Sequence, residues 1–166
     1  MRAGETIDVG PEARCYVLAP ARDPAEGTAQ NTPADALDNH GLNDRSVVLK
    51  VVYGSTALLL SGDAETGVEE ALVRRYGAFL GSDVLKTGHH GSRTSSTDVY
   101  LTAVHPTLAL ISVGARNTFG HPSPSLLERL AARGIGVART DREGAILLGS
   151  DGTSWRRVPW RRGGVP

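Results

Sequence analysis

The amino-acid sequence predicts a layered α/β (α+β) fold with a mixed sheet and helices on one face. Short apolar strands alternate with helical segments along the chain, and this alternation favours helices layered on a sheet. Glycine is abundant, with 20 of 166 residues, whereas aromatic residues make up 5%. This composition suits many short strands joined by tight turns.

Bulk composition bounds the possible functions. A length of 166 residues suggests one domain or a piece of one. The net charge is zero, so no global field attracts nucleic acid, and any polyanion must be held by a local patch or a metal ion. Cys15 is the single cysteine, which excludes an internal disulfide.

The sequence contains no apolar stretch approaching the ~18 residues of a membrane span. Its first residues lack the apolar core of a signal peptide. We therefore expect the chain as written to be soluble.

The first half of the chain predicts three strands and a long loop. Residues 12–18 are typical of a short strand, and residues 19–45, which hold three prolines, are typical of a long loop. Residues 46–52 and 56–60 flank a short glycine-containing turn and predict a hairpin. The second strand of this hairpin is continuously apolar, which predicts burial on both faces.

Capping signals predict where the first two helices begin and end. Thr66 and Glu69 have the spacing of a capping box, and Gly77 ends the apolar periodicity that follows. Ser96 is the predicted N-cap of a second helix that extends through Val104.

The third helix has the clearest signals in the chain. Ser123 is the predicted N-cap, Pro124 the first helical residue, and Gly134 lies just beyond the end. Two further strands are predicted at residues 83–87 and 108–113. Three short strands complete the chain, at residues 136–139, 145–148 and 153–158, the last two joined as a hairpin.

Four metal-capable side chains follow predicted strands. Asp63 follows the second hairpin strand, His89 and His90 follow the next strand, and His121 lies one loop beyond the strand at 108–113. A carboxylate with imidazoles is the ligand chemistry of Zn²⁺ or Mn²⁺. Glycines beside each residue permit sharp turns close to an ion.

Each of these residues also has an ordinary structural interpretation. An aspartate between a strand and a helix, such as Asp63, is most often a turn or cap residue. Adjacent histidines such as His89 and His90 project in different directions, so at most one usually faces a given ion. His121 precedes a proline, as loop histidines often do, and Ser92 is most simply a loop residue.

Four segments taken together resemble the ComEC family, whose members take up DNA in competent bacteria. The segments are Asn-Asp-Arg-Ser-Val-Val-Leu at 43–49, Leu-Leu-Leu-Ser-Gly-Asp-Ala-Glu at 58–65, Asp-Val-Leu-Lys-Thr-Gly-His-His-Gly-Ser at 83–92 and Ser-Val-Gly-Ala-Arg-Asn-Thr-Phe-Gly-His-Pro at 112–122. Their order and spacing are similar to those of the family's C-terminal metallo-β-lactamase-like domain. The resemblance covers residues 43–148, including Thr-Asp-Arg-Glu-Gly-Ala-Ile at 140–146.

The resemblance implies a two-metal hydrolase site for Zn or Mn that acts on DNA. Asp63 would bridge the metals and, with His89, form the catalytic pair. His90, as the alternative to His89, and His121 would be further metal ligands. The substrate-binding residues implied are Ser92 and Asn117. In the family such a domain is thought to degrade the strand that is not transported, outside the cytoplasm and attached to a membrane-embedded protein.

The chain departs from the family because it contains no His-x-His sequence. The His-x-His-x-Asp-His motif that supplies the remaining ligands in this fold is therefore missing. We expect residues 1–166 to be a single partial domain, half of an αββα sandwich, that is incompetent alone. Its uncovered apolar sheet predicts a partner, either the missing N-terminal half or a second copy.

A non-enzymatic nucleic-acid-binding module is the alternative. The basic tail at 155–166 contains Trp155, Trp160 and four arginines, which could stack bases and hold phosphates. An edge strand with a solvated end explains the same residues. A metal titration separates the hydrolase from this alternative.

Overall fold

The computed structural model describes residues 3–20 and 45–159. Most of the predicted long loop, residues 21–44, lies outside the described residues. Residues 160–166 of the basic tail lie outside them as well.

Within the described residues, seven strands form one mixed sheet in the order of the sequence. They are β1 (Thr6–Gly10), β2 (Ala13–Ala19), β3 (Val48–Tyr53), β4 (Thr56–Leu60), β5 (Val84–Lys86), β6 (Leu108–Ile111) and β7 (Gly136–Arg139). Strands β1 to β4 are antiparallel, and β4 to β7 are parallel. The predicted mixed sheet is confirmed.

Three helices connect the parallel strands, as a layered α/β fold requires, and a fourth follows the last strand of the sheet. They are α1 (Thr66–Tyr76), α2 (Asp98–Val104), α3 (Pro124–Ala132) and the short α4 (Thr140–Glu143). Single 3₁₀ turns follow α1 at Gly77–Leu80 and follow β5 at His89–Gly91.

The helices cover one face of the sheet. Strand pairing places Leu59, Leu85 and Ala109 on this face, and all three lie in one buried cluster with Leu72 of α1 and Leu126 of α3. Burial of such side chains is the main driving force for this layer, at roughly 1.5–3 kcal/mol for each large one.

The opposite face is apolar and only partly buried, since Val84 and Ala138 are fully buried there and its leucines are not. Leu58, Leu60, Leu108 and Leu110 point to this side, since they alternate with the buried residues of β4 and β6, and all four retain intermediate exposure. The prediction that β4 is buried on both faces is therefore wrong for the described part of the chain, because the helices cover one face only.

The predicted C-terminal hairpin is confirmed. Strands β8 (Leu147–Ser150) and β9 (Trp155–Val158) pair antiparallel as a separate ribbon. The indole N–H of Trp155 donates to Asp83 Oδ2 at 3.2 Å, which ties the ribbon to the main sheet at the start of β5.

Helix α3 begins and ends as predicted. The Ser123 hydroxyl accepts from the N–H of Leu126 at 3.2 Å, Pro124 is the first helical residue, and Gly134 adopts a φ of 66° beyond the end. These are the local interactions that the sequence pattern predicts.

The predicted capping box of α1 is wrong. The Thr66 hydroxyl instead donates to the carbonyl of Thr94 at 2.8 Å. The Glu69 carboxylate accepts from the backbone N–H groups of Ser96 at 2.5 Å and Thr97 at 2.8 Å. Glu69 is fully buried, and a buried carboxylate requires such donors, so the packing against the next loop overrides the local cap.

Helix α2 is capped by Thr97 rather than by Ser96. The Thr97 hydroxyl accepts from the N–H of Tyr100 at 3.4 Å. Ser96 has a φ of 51°, outside the extended region that an N-cap residue adopts.

Candidate functional site

The candidate site lies at the edge of the sheet where the parallel strands β4, β5 and β6 end. Leu60, Lys86 and Leu110 are aligned across these three strands, so the loops that follow them start at the same level. Asp63 follows β4 and His89 follows β5 in these loops. Loops at the carboxyl ends of parallel strands are the usual place for sites in such sheets.

A tight turn brings Asp63 close to the neighbouring loop. Gly62 adopts a φ of 55°, and a Cβ there would meet the carbonyl oxygen of Val47 at 2.8 Å. The Gly62 carbonyl accepts from Lys86 Nζ at 3.0 Å and from the N–H of His89 at 3.1 Å. Asp63 is thereby fixed beside the histidines, and its side chain is 43% exposed.

His89 and His90 both adopt left-handed backbone conformations, with φ of 42° and 53°. Non-glycine residues rarely do so, and such strained residues cluster at functional sites. His89 Nδ1 lies 2.5 Å from Glu65 Oε1. A carboxylate on one ring nitrogen is the arrangement that orients metal-binding histidines.

His90 lies beside Asp63. Its Nδ1 donates to the carbonyl of Ser112 at 2.7 Å, because a carbonyl oxygen only accepts. Its other ring nitrogen, Nε2, lies 3.9 Å from Asp63 Oδ1. Half of the His90 side chain is exposed, so this pair is open to solvent.

The third imidazole belongs to His121. Its ring centroid lies 5.6 Å from that of His89. Its Nδ1 is buried and forms no hydrogen bond with the described residues. Burial is the largest cause that lowers the pKa of His121, and the neighbouring His89 and His90 lower it further. The lowered pKa favours the neutral form of the ring. A neutral ring with an unused buried nitrogen suits a metal ligand, since the nitrogen otherwise lacks compensation for its burial.

Asn117 holds the loop that carries His121. Its Nδ2 donates to the carbonyls of Gly114 at 3.1 Å and His121 at 2.9 Å, and its Oδ1 accepts from the N–H of His121 at 3.1 Å. Both amide hydrogens are thus directed to the loop backbone. This geometry supports a positioning role more directly than the substrate contact predicted for Asn117.

Ser92 is similarly engaged within its own loop. It is 7% exposed, and its hydroxyl lies 2.8 Å from Thr94 Oγ1. The structure thus places the predicted substrate-binding serine in a turn beside His89 and His90, as the ordinary structural interpretation expects.

Glu65 and Lys86 are site residues that the sequence reasoning did not single out. Glu65 contacts His89, and Lys86 donates a hydrogen bond to the Gly62 carbonyl in the turn before Asp63. Burial lowers the pKa of Lys86, while the charge of Asp63 opposes this shift. Glu65 lies two positions after Asp63, and Lys86 lies three positions before His89, both within the quoted motifs. This closeness in sequence to the predicted ligands is the signal that could have identified them.

The donor set fits a metal ion in chemistry but supplies only part of its coordination. Asp63 and the imidazoles of His89, His90 and His121 lie in one neighbourhood. Among residues 3–20 and 45–159, no three His, Cys, Asp or Glu side chains converge closely enough to hold one ion. Ligands from elsewhere are needed to complete a site.

The described part of the basic tail is explained by packing. Trp155 is half-buried and bonded to Asp83, and the Arg157 guanidinium pairs with Glu143. These contacts are typical of an edge ribbon and leave Trp155 poorly placed to stack on a base.

The chain is similar to several proteins over about two thirds of its length. It is 49% identical over 107 residues to Competence protein ComA of Neisseria gonorrhoeae, covering 64% of this chain and 16% of that protein. It is 35% identical over 112 residues to ComE operon protein 3 of Bacillus subtilis, covering 68% and 14%. It is 38% identical over 106 residues to Recombination protein 2 of Haemophilus influenzae, covering 64% and 13%.

The matched segment thus spans 13–16% of the length of these curated relatives. No protein-family model matches the chain. In the part of the chain that the structure describes, none of the helices has both the length and the apolar character needed to cross a bilayer.

Proposed function

We propose that this chain is the C-terminal half of a metal-dependent DNA hydrolase domain that serves DNA uptake in competent bacteria. The grouping of Asp63 with three imidazoles at one edge of the sheet is the observation that carries the proposal. The similarity to proteins such as Competence protein ComA supports the biological setting. The mixed sheet with helices on one face is consistent with half of a metallo-β-lactamase-like αββα sandwich.

The residues that would hold Zn²⁺ or Mn²⁺ are Asp63, His90 and His121, with His89 as the further ligand. A pair of such ions supplies an activated water and a clamp for the phosphate oxygens. In this chain Asp63 Oδ1 and His90 Nε2 lie 3.9 Å apart, at the solvent-exposed end of the site. His121 adds a neutral ring whose Nδ1 is unused.

The remaining site residues fix these donors in place. Glu65 orients the His89 ring, and Asn117 holds the His121 backbone. The Lys86 ammonium group lies near Asp63 and partly balances its charge. A metal site tolerates little movement of its ligands, so these contacts matter for affinity.

A second layer completes the domain in this proposal. The half-buried face that carries Leu58, Leu60, Leu108 and Leu110 would pack against the N-terminal half of the sandwich, or against a second copy. Full burial of a large apolar side chain stabilises a protein by roughly 1.5–3 kcal/mol. Since these side chains are already half-buried, each would contribute only part of that amount. The same layer would bring the missing ligands, so the chain alone is not expected to cleave DNA. In the assembled protein we place this domain outside the cytoplasm, next to the membrane.

Metal binding to the chain alone tests the site. We expect isothermal titration calorimetry with Mn²⁺ or Zn²⁺ to show weak binding that Asp63→Asn or His90→Ala reduces at least about 10-fold. His105→Asn is the matched control, because His105 is exposed at the end of α2 and asparagine tolerates its φ of 51°. Equal affinities for Asp63→Asn and His105→Asn would rule out the proposed site.

Cleavage assays test the need for a second half. The chain with Mn²⁺ is expected to leave DNA intact. Robust cleavage that disappears in Asp63→Ala would show that the described site is complete by itself. Light scattering tests the uncovered face, since a monodisperse monomer with slow hydrogen exchange throughout β3 to β6 would contradict the need for a covering layer.

A further inference from the structure

Phe119 is the most exposed large apolar side chain among the described residues. It is 81% exposed, whereas the next, Val99, is 58% exposed. Phe119 lies in the loop between β6 and α3, two residues before His121. Its ring stacks on the His121 ring with an interplanar angle of 18° and centroids 6.3 Å apart. An aromatic ring is therefore displayed to solvent directly beside the candidate site.

Hydrogen bonds hold the backbone of the loop that carries this ring. The Asn117 side chain bridges Gly114 and His121, on the two sides of Phe119, by three hydrogen bonds. A rigid aromatic platform loses little conformational entropy when a ligand binds to it.

The segment that contains this loop carries net positive charge although the whole chain is neutral, whereas the carboxylates of the site, Asp63 and Glu65, come from a separate loop. Residues 84–127 contain Asp98 as their one carboxylate, and it pairs with Arg133 at 2.7 Å. The same segment contains Lys86, Arg93 and Arg116. Arg93 and Arg116 are exposed, and neither forms an ion pair within residues 3–20 and 45–159. Local positive charge of this kind attracts phosphates.

We propose that Phe119 stacks on a nucleobase of single-stranded DNA at the mouth of the candidate site, with Arg93 and Arg116 near the flanking phosphates. The His121–Phe119 stack has one open end, and a base would extend it. Base stacking on aromatic rings accepts every base, which suits a site that reads no sequence. The inference rests on the proposed function, because it takes DNA as the ligand.

A base fits this feature better than a membrane or a protein partner does. Those partners require a contiguous apolar patch. The neighbours of Phe119 in the loop, Thr118 and Gly120, offer no large apolar surface. A single flat ring beside cationic side chains matches the pairing of base and phosphate in a nucleotide.

Fluorescence anisotropy with a labelled oligothymidylate tests the inference on the full chain in EDTA. Phe119→Leu removes the aromatic face and keeps an apolar side chain, and we expect it to weaken binding about 5- to 100-fold. Phe119→Tyr keeps the face and should bind as wild type does. Phe79→Leu is the matched control, since Phe79 is the other phenylalanine, is 43% exposed and precedes β5 at the opposite end of the strands.

An oligonucleotide of the same length made of abasic residues provides the second arm. Wild type and Phe119→Leu should bind it equally, because it offers phosphates without bases. Equal affinity of the two proteins for the oligothymidylate, or no binding by wild type, overturns the inference. If Phe119→Leu loses binding to phosphatidylglycerol vesicles while its binding to DNA is unchanged, Phe119 belongs to a membrane-binding surface instead. The EDTA removes metal, so this result stands apart from the metal titration of the proposed hydrolase.

Discussion

Gly88 is the point at which the Asp63 loop and the histidine loop touch. A Cβ at this position would lie 2.3 Å from the carbonyl oxygen of Ala64 and 3.1 Å from Ser95 Cβ. The backbone of Gly88 has φ −65° and ψ 152°, which alanine adopts without strain. Gly88→Ala therefore tests the packing of the two loops without straining its own backbone.

The magnitude follows from the displacement that alanine requires. A carbon next to a carbonyl oxygen needs a little over 3 Å, so one backbone must retreat by roughly 1 Å. Overpacking of this kind costs about 1–3 kcal/mol, and the lower entropy of the unfolded alanine chain offsets up to ~1 kcal/mol. We expect a net loss of about 2 kcal/mol, equivalent to a fall in melting temperature of about 4–8 °C.

The same movement separates the proposed metal ligands. The Ser95 hydroxyl donates to the carbonyl of Gly88 at 2.8 Å, and His89, the next residue, bonds to Gly62. A shift of the histidine loop stretches these bonds and moves His90 away from Asp63. We therefore expect the affinity for Mn²⁺ to fall about 10-fold together with the loss of stability.

Urea unfolding followed by circular dichroism, with calorimetric metal titration, measures both effects. Gly67→Ala is the matched control, because Gly67 lies in α1 with no atom within 4 Å of the added Cβ. Alanine is the better helix former, so this variant should gain up to ~1 kcal/mol. A Gly88→Ala protein as stable as wild type, with unchanged metal affinity, would refute the close contact of the two loops.

Two further substitutions test the core and a buried charge. Leu126→Ala empties a fully buried position of α3 and should cost about 2–5 kcal/mol in urea unfolding, more than Leu127→Ala at the half-buried neighbour; equal losses would contradict the packing described. Burial raises the pKa of Glu69, so its stabilising contribution is present below the ordinary carboxyl pKa and is lost as pH rises through the folded-state value. The stability of wild type relative to Glu69→Gln should therefore fall as pH rises above the ordinary carboxyl range of about pH 4, and a difference independent of pH would show that the carboxyl pKa is not raised.

The sequence predicts the elements whose signals are local. Helix α3 begins at Ser123 and Pro124, because a hydroxyl cap and a proline at the first position act on adjacent backbone. The hairpin of β3 and β4 follows from two apolar runs around a short turn. Strand β1 was not predicted, since Thr6–Gly10 is an exposed edge strand with few apolar residues.

Prediction from the sequence fails for features that depend on contacts between residues far apart in the chain. Glu69 has the spacing of a capping residue, but its carboxylate binds a loop 27 residues away. Ser96 and Thr97 have the same capping chemistry, and only the backbone conformation decides between them. Strand-end positions were enough to bring Asp63 and the histidines together, whereas the contact of Glu65 with His89 depends on how two loops pack.

The position of Lys86 connects the uncovered face with the candidate site. Lys86 is aligned with Leu60 and Leu110, so its side chain leaves the sheet on the face that the helices do not cover. Its ammonium group nevertheless reaches the Gly62 carbonyl and the neighbourhood of Asp63. A layer that packs on this face, as proposed, would bury the leucines and enclose Lys86 in the same step. Assembly and completion of the metal site would then be one event. The uncovered surface ends at Asp63 and the histidines, where the proposed metal ions need further ligands.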